Sequence, residues 1–365
     1  SDDDWDVIFG GDGFQPLVDP ENTNVIYALS QYGNLGKSTN NGLNFGNATS
    51  GIPNGARRNW DTPIVFDPSN SQTLYYGANR VYKTTNAAGS WTVISPDLTG
   101  GPYTGNLVYG TITSISVSPF NSDLIYVGTD DGNVWITDDG GDNWDIISTS
   151  LPNRWVTSVL ASRDDENTVY VTYSGYRYGE DSGHVYRSLN RGSFWYDISG
   201  GLPDIPVNDI VRDDEGNLYV ATDVGVFGSG TEGSIWEVVG SNLPSVVVND
   251  MHIHEASQFL YIGTYGRSSY KIDLSGVALG VSEETINTAV QLAPNPASDY
   301  IEITWPKSFL VRAITIYDVL GKTIVEASAL EIKNRHLDIA HVRAGHYYVE
   351  ITDGTKRITK KLLKK

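Results

Sequence analysis

The sequence contains no cysteine and a single methionine. Disulfides and thiolate metal sites are therefore excluded. Cationic residues are scarce: 25 Lys and Arg stand against 44 Asp and Glu, a formal net charge of −19. So acidic a chain is poorly matched to nucleic acid or an anionic membrane surface as its main partner. No run of about 18 apolar residues occurs, so no membrane span is expected. No signal peptide is visible. The chain, however, opens with "SDDDWD" at Ser1 rather than at Met, which reads as a processed or trimmed product. With six His and no Cys, no zinc constellation emerges; His252 and His254 merely alternate along one strand.

What is present is β-sheet chemistry, unevenly charged. Length alone suggests one large all-β domain and a small one. Residues 1–274 hold 13 Lys and Arg against 34 Asp and Glu, whereas residues 291–365 hold 12 against 8. Two units with separate jobs fit that split.

One turn recurs five times: "STNNGLNF" (38–45), "TTNAAGSW" (84–91), "TDDGGDNW" (137–144), "SLNRGSFW" (188–195) and "SGTEGSIW" (229–236). The shared pattern is S/T-x-D/N-x-G-x-x-W/F. Gly89 is displaced by one place in the second copy, and Thr231 replaces the acid in the fifth. A short Asp or Asn side chain closes the loop on its own N–H groups. Gly supplies a backbone conformation that a Cβ disfavours. The aromatic opens the next strand and fills space between layers. Five copies cannot all be active sites, so Asn40, Asn86, Asp139, Asn190 and Thr231 read as structural. The pattern resembles the Asp-box, or BNR repeat, of sialidases, sortilin-type receptors and xyloglucanase-type glycoside hydrolases. The resemblance covers about residues 5–273 and implies a β-propeller.

Three further strand types repeat around these turns, as in "ITSISVSP", "LIYVGTD" and "NVWITD". Six such sets occur, but only five are followed by a box and a fourth strand. The opening "WDVIFG" (5–10) has the look of a fourth strand. The economical reading is an all-β, six-bladed Asp-box propeller over 1–274, with the N-terminal strand completing the last blade and closing the ring. If the natural chain is longer upstream, that strand could instead belong to a further blade.

After Leu274 the rhythm breaks. Residues 275–291 read as a linker, and 292–365 as a small C-terminal β-sandwich with alternating apolar residues and turn signals. Pro294, Asn295 and Pro296, Asp318 with Gly321 and Lys322, Leu337-Asp338-Ile339, Ala344-Gly345 with Tyr347, and the tail Lys360 and Lys361 to Lys365 follow in order. Together they resemble the type A C-terminal sorting domain of the bacterial type IX secretion system. His346 stands where that family usually has an aliphatic residue. The resemblance implies export across the outer membrane of a Bacteroidetes-type bacterium. It also implies a translocon and an outer-membrane shuttle protein as partners, and a product anchored at the surface or released.

In a propeller of this kind the boxes occupy one face, and ligands are expected at the other, on the loops that enter the first and third strands. Those loops supply Arg58, Trp60, Asp61, Tyr103, Arg154, Trp155, Tyr176, Arg177, Tyr178, Tyr265 and Arg267. Aromatics beside Arg suit a glycan- or protein-binding surface. Equally, Trp60 and Trp155 could pack between blades while the Arg residues pair with local acids. A glycosidase needs two positioned carboxylates. Asp61, Asp209 and Asp250 are the weak candidates, with Asp130, Asp131 and Asp223 behind them. The repeated "VND" around Asp209 and Asp250 favours structure over catalysis. The early Arg-Ile-Pro signature of sialidases is absent, and xyloglucanase-type enzymes place their acids between two propellers where one is read here. No cofactor is implied; Ca2+ is the one ion that clusters such as "SRDDEN" could hold, without EF-hand spacing. Three hypotheses follow: an exported binding module, a glycoside hydrolase, or an adhesive surface component.

Overall fold

The computed structural model describes residues 6–103, 108–175, 183–240, 243–277, 279, 290–305, 311–328, 335–353 and 357–365. It is all-β. Helix among these residues is confined to single 3-10 turns at Gln31–Gly33, Glu255–Ser257 and Leu274–Gly276. Among the described residues no helix is long and apolar enough to cross a membrane. The chain divides into two compact units, Ser1–Phe227 with Val238–Val277, and Gly228–Glu237 with Ala278–Lys365.

Six antiparallel up-and-down sheets follow one another along the first three-quarters of the chain. Sheet one holds β1 (Gly13–Val18), β2 (Ile26–Ser30), β3 (Asn34–Ser38) and β4 (Gly46–Asn47). Sheet two holds β5 (Ile64–Asp67), β6 (Asn70–Gly77), β7 (Val81–Thr84) and β8 (Thr92–Val93). Sheet three holds β9 (Ile112–Val117), β10 (Ile125–Thr129), β11 (Val134–Thr137) and β12 (Asp145–Ile146). Sheet four holds β13 (Val156–Ala161), β14 (Val169–Tyr173), β15 (Val185–Ser188) and β16 (Tyr196–Asp197). Sheet five holds β17 (Val207–Arg212), β18 (Leu218–Thr222), β19 (Gly225–Ser229) and β20 (Glu237–Val239). Sheet six has three strands, β21 (Val248–His254), β22 (Phe259–Thr264) and β23 (Ser269–Asp273).

The core is a series of layers between consecutive sheets. Successive side chains of a strand point to opposite faces, so neighbours in sequence enter different layers. Tyr76 packs with Leu29, Leu35 and Trp91 between sheets one and two. Tyr75 packs with Ile112, Ile125 and Val127 between sheets two and three. Tyr126 packs with Val159, Val171 and Trp195 between sheets three and four. Both faces of a second strand are therefore covered, which explains unbroken apolar runs such as Ile125-Tyr126-Val127.

All five repeated turns close by the same three hydrogen bonds. The leading hydroxyl of Ser38, Thr84, Thr137 and Ser188 donates to Oδ1 of Asn40, Asn86, Asp139 and Asn190 at 2.8–2.9 Å. Ser229 Oγ and Thr231 Oγ1 lie 3.1 Å apart in the fifth copy. The same hydroxyl accepts the N–H four residues on, from Gly42, Ala88, Gly141, Gly192 and Gly233. The residue in the acid position in turn accepts from Asn44, Ser90, Asn143, Phe194 and Ile235. These bonds hold the Asp139 carboxyl down at about 2. Where Gly89 is out of place, Ala88 itself takes the left-handed backbone, φ 61.

After the second, third and fourth turns the aromatic reaches across to the sheet before. Trp91 Nε1 donates to the Ala48 carbonyl at 2.7 Å, Trp144 to Ile94 at 2.9 Å and Trp195 to Ile147 at 2.8 Å. In sheet one the position is Phe45, which has no N–H to satisfy and packs on Phe9, ring centroids 5.0 Å apart.

Residues 6–10 do not complete sheet six, contrary to the sequence reading: they form no ladder with β23. They pack instead against sheet one. Ile8 Cδ1 approaches Gly42 as Ile94 approaches Gly141 and Ile147 approaches Gly192. The segment thus occupies the place of a preceding fourth strand without pairing as one. Sheet six is correspondingly less covered, with Tyr261 and Gly263 of β22 exposed where all of β10 is buried.

The second unit contains two antiparallel sheets around one apolar core. Sheet seven is β24 (Gln291–Ala293), β25 (Tyr300–Thr304) and β28 (His336–Asp338). Sheet eight is β27 (Thr323–Ser328), β26 (Ala313–Asp318), β29 (Gly345–Thr352) and β30 (Arg357–Lys364) in that order. Ile301, Ile303, Ile314, Ile316, Val349 and Ile351 fill the space between them. The β26–β27 turn is closed by Asp318, whose Oδ1 accepts from Leu320 and Lys322 at 2.9 and 3.0 Å, with Gly321 at φ 81.

The indole latches generate a test. Trp91→Phe keeps a ring but leaves the buried Ala48 carbonyl unpaired, and is expected to lower unfolding free energy by about 1–3 kcal/mol. Trp144→Phe, at a half-buried position, is expected to cost less. Urea denaturation of both variants checks the order; equal midpoints to the parent would show that the indole N–H contributes nothing.

Candidate functional site

The first strands of successive sheets are fastened to each other near their entry ends. Thr113 Oγ1 donates to the Val156 carbonyl at 2.6 Å, Thr157 Oγ1 to that of Val207 at 2.6 Å, and Asn208 Nδ2 to that of Val248 at 2.9 Å. The next side chain accepts in return. Ser114 Oγ takes the Val159 N–H at 3.0 Å, and Asp209 Oδ2 takes that of Met251 at 3.0 Å. Asp209 Oδ1 also accepts from Ile210 at 2.8 Å. Both its oxygens are thus spent on backbone. The "VND" repeat is a sheet-to-sheet fastener, used from sheet five to sheet six.

Asp250 is the same residue one sheet on. Its side chain is exposed. Burial and the neighbouring Asp250 charge push Asp209 upward, and burial pushes Asp250 upward. Asp61, at the entry to β5, lies within reach of the Asp250 charge. Its Oδ2 accepts from Gln15 Nε2 at 3.3 Å, while its Oδ1 is buried with no hydrogen-bond partner. Burial, and secondarily the Asp250 charge, push Asp61 up to about 6 against the pull of Gln15.

Beside Asp61 stands an aromatic group that the fold assembles from three loops and strands. Trp60 is 44% exposed, and Tyr32, 56% exposed, meets it edge-on with centroids 4.9 Å apart. Phe14 of β1 meets Trp60 from another side at 6.5 Å, also edge-on. Tyr32 sits at φ 58, an unusual backbone for a bulky residue. Its N–H donates to the Trp60 carbonyl at 3.1 Å, which ties the two loops together. Strain held by neighbouring contacts is common where a side chain is presented for use.

The other sequence candidates scatter. Arg58 is half-buried, donates to the Pro53 carbonyl at 3.0 Å and faces the Tyr76 hydroxyl. Arg154 is 1% exposed, donates to the Gly183 carbonyl and covers the Tyr173 ring at 5.6 Å. It therefore belongs to the interior, against the expectation of a surface residue. Trp155 is half-buried, and its carbonyl accepts from Ser174 at 3.1 Å. Tyr265 and Arg267 are exposed on the β22–β23 loop. Tyr103 donates to Asp131 Oδ2 at 3.0 Å. Asp130 is fully buried, accepting from the backbone of Tyr109, Gly110 and Thr111. Asp223 accepts from Asn208 at 3.1 Å. Tyr176, Arg177 and Tyr178 lie outside the described residues. In "SRDDEN", Asp164 is held by Arg212, Asp165 by Thr168 and Glu166 by Arg191. Among the described residues no group of three or more His, Asp or Glu could hold a metal ion.

Phe14, Gln15 and Tyr32 escaped the sequence reading as site residues. The loop "SQYGN" was a signal, but nothing in it says that Tyr32 turns toward Trp60.

The comparisons with known proteins agree with this architecture. Residues 291–365 match the secretion system C-terminal sorting domain, and residues 201–224 match the two component regulator propeller. A xyloglucanase of Hypocrea jecorina (strain QM6a) is 29% identical over 194 residues, covering 52% of this chain and 19% of the enzyme. The GH74 xyloglucanase of Xanthomonas campestris superposes with a TM-score of 0.56 at 13% identity, over 94% of this chain and 58% of that one. The GH74 enzyme of Niastella koreensis gives 0.55 at 13% identity, over 96% and 66%. This chain thus spans about a fifth of the fungal enzyme and under two-thirds of the Xanthomonas one. At such identities the likeness to the solved structures carries the fold alone. The chain joins a β-propeller to a type IX secretion C-terminal sorting domain, and is exported to the cell surface or beyond.

Asp61 gives a pH test. Its folded-state value lies above the ordinary carboxylate value, so the folded protein holds the extra proton between about pH 4 and 6. The stability it contributes is present below pH 4 and lost as pH rises through about 6. Asp61→Asn keeps the Gln15 bond and removes the buried charge. At pH 7.5 the variant is expected to be more stable than the parent by about 1 kcal/mol, allowing for partial exposure, with the gap vanishing near pH 4. A gap independent of pH in thermal melts would contradict the placement of this carboxyl.

Proposed function

We propose that this chain is an exported binding module whose propeller holds an extracellular glycan at Phe14, Tyr32, Trp60 and Asp61. The observation that carries the reading is the exposed Trp60–Tyr32 pair beside a carboxylate with an unpartnered oxygen. Apolar sugar faces stack on aromatic rings, and a carboxylate accepts from hydroxyls, so the combination suits a saccharide better than a hydrophobic peptide. In this reading the six sheets are the blades of an Asp-box propeller, and the five repeated turns are its boxes. The linker and sorting domain follow at 275–291 and 292–365, and the type IX translocon and an outer-membrane shuttle protein are the export partners. Exposed Tyr265 and Arg267 are the remaining sequence candidates for ligand contact.

Titration with xyloglucan oligosaccharides and a broader glycan panel tests the site. Trp60→Ala is expected to weaken binding at least tenfold, whereas Tyr103→Phe, spent on Asp131, leaves it unchanged. Binding that survives Trp60→Ala would sink the proposed site, and retention of a protein ligand only would replace the glycan.

A second reading, glycoside hydrolysis, is favoured by the xyloglucanase relative and by an Asp61 carboxyl that stays protonated to about pH 6, the condition of a general acid. It predicts reducing-sugar release from a polysaccharide, abolished by Asp61→Asn. Absence of turnover across the panel would eliminate it.

A further inference from the structure

The motif Pro294-Asn295-Pro296 and the lysine-rich tail lie some 66 residues apart in sequence, yet they form one structural element. β30 is the edge strand of sheet eight, paired with β29 on one side only. On its other side the carboxamide of Asn295 behaves as a peptide group. Its Oδ1 accepts the Leu363 N–H at 2.9 Å, and its Nδ2 donates to the Lys361 carbonyl at 2.8 Å. Ala297 continues the ladder, donating to the Leu363 carbonyl at 2.8 Å and accepting from Lys365 at 2.8 Å. Four hydrogen bonds therefore cover the edge from Lys361 to Lys365, two of them from one side chain.

The ladder with β29 sets which way the tail faces. Ile358, Leu362 and Lys364 point to the buried side, where Leu362 joins the core and the Lys364 stem is 7% exposed. Thr359, Lys361 and Leu363 point outward, beside exposed Tyr348 of β29. A slip of one residue would exchange the two rows. Only a group with a donor and an acceptor side by side can satisfy both the outward Lys361 carbonyl and the outward Leu363 N–H; Asp lacks the donor and Ala lacks both.

We propose that Asn295 is a positioning residue of this sorting domain. β29 fixes the register of β30, and the export machinery reads the outward row, centred on Lys361 and Leu363, only while Asn295 closes the strand's free edge. Lys361, with exposed Arg357 in the same row, calls for a receptor surface bearing carboxylates. This inference rests on the assignment of residues 291–365 as the export signal, and the experiment separates the two.

The full chain is expressed in a host with a working type IX system, as parent, Asn295→Ala, Lys361→Glu and a truncation lacking 291–365. Two quantities are read: the fraction at the surface or in the medium, and amide exchange of the purified full chain. Asn295→Ala is expected to speed exchange at Leu363 at least tenfold, to leave Val349 of the sandwich core protected, and to cut export at least tenfold. Lys361→Glu is expected to cut export similarly with Leu363 still protected, which separates recognition from folding. Normal export of Asn295→Ala with Leu363 deprotected overturns the clamp, as does normal export of Lys361→Glu. Normal export of the truncation would instead remove the assignment on which the inference stands.

Discussion

The propeller depends on one contact made again and again: an indole that leaves its own sheet, enters the layer before it and donates its N–H to a backbone carbonyl there. The carbonyls of Ala48, Ile94 and Ile147 sit past the ends of two-residue fourth strands, where no further ladder partner exists. A buried carbonyl without a donor would cost the layer more than the hydrogen bond itself is worth. The Trp of the following sheet meets that need and fills the volume between sheets in the same act. The repeated turn exists to aim it, which is why the acid side chain is consumed by the turn's own N–H groups.

A second set of bonds works at the other margin of the sheets. Thr113, Thr157 and Asn208 donate forward to the next first strand, and Ser114 and Asp209 accept back. Asp209 is immobilised by these bonds, so its raised proton affinity reflects burial against Asp250 and carries no sign of chemistry. Asp61 differs because one of its oxygens has nothing to accept from. Asp61 directly follows Trp60 in the chain, so this carboxyl belongs to the loop that presents the exposed Trp60 and Tyr32 rings.

The two ends of the sheet series are unlike the middle. Sheet one carries Phe45 where its successors carry Trp, and its neighbour in that layer is the strandless segment of Ile8 and Phe9. Among the described residues sheet six has no fourth strand, and Tyr261 is left exposed. In the second unit the opposite solution holds: the last strand would be an open edge, and Asn295 with Ala297 covers it. Edge protection there is local and comes from a side chain acting as backbone.

Much of this was legible in the residues alone. Turn chemistry, strand alternation and the order of tail motifs pointed to an all-β chain, the repeated turn, the export domain and the turn-closing role of its Asn and Asp side chains, because each depends on neighbours within a few positions. The packing of residues 6–10 on sheet one, the burial of Arg154 and the meeting of Phe14, Tyr32 and Trp60 depend on which loops approach in space. So does the grip of Asn295 on a strand 66 residues away. Local sequence determines what a backbone segment can do, but only the packing of one sheet on the next decides which polar atom is left without a partner and which ring is left facing water.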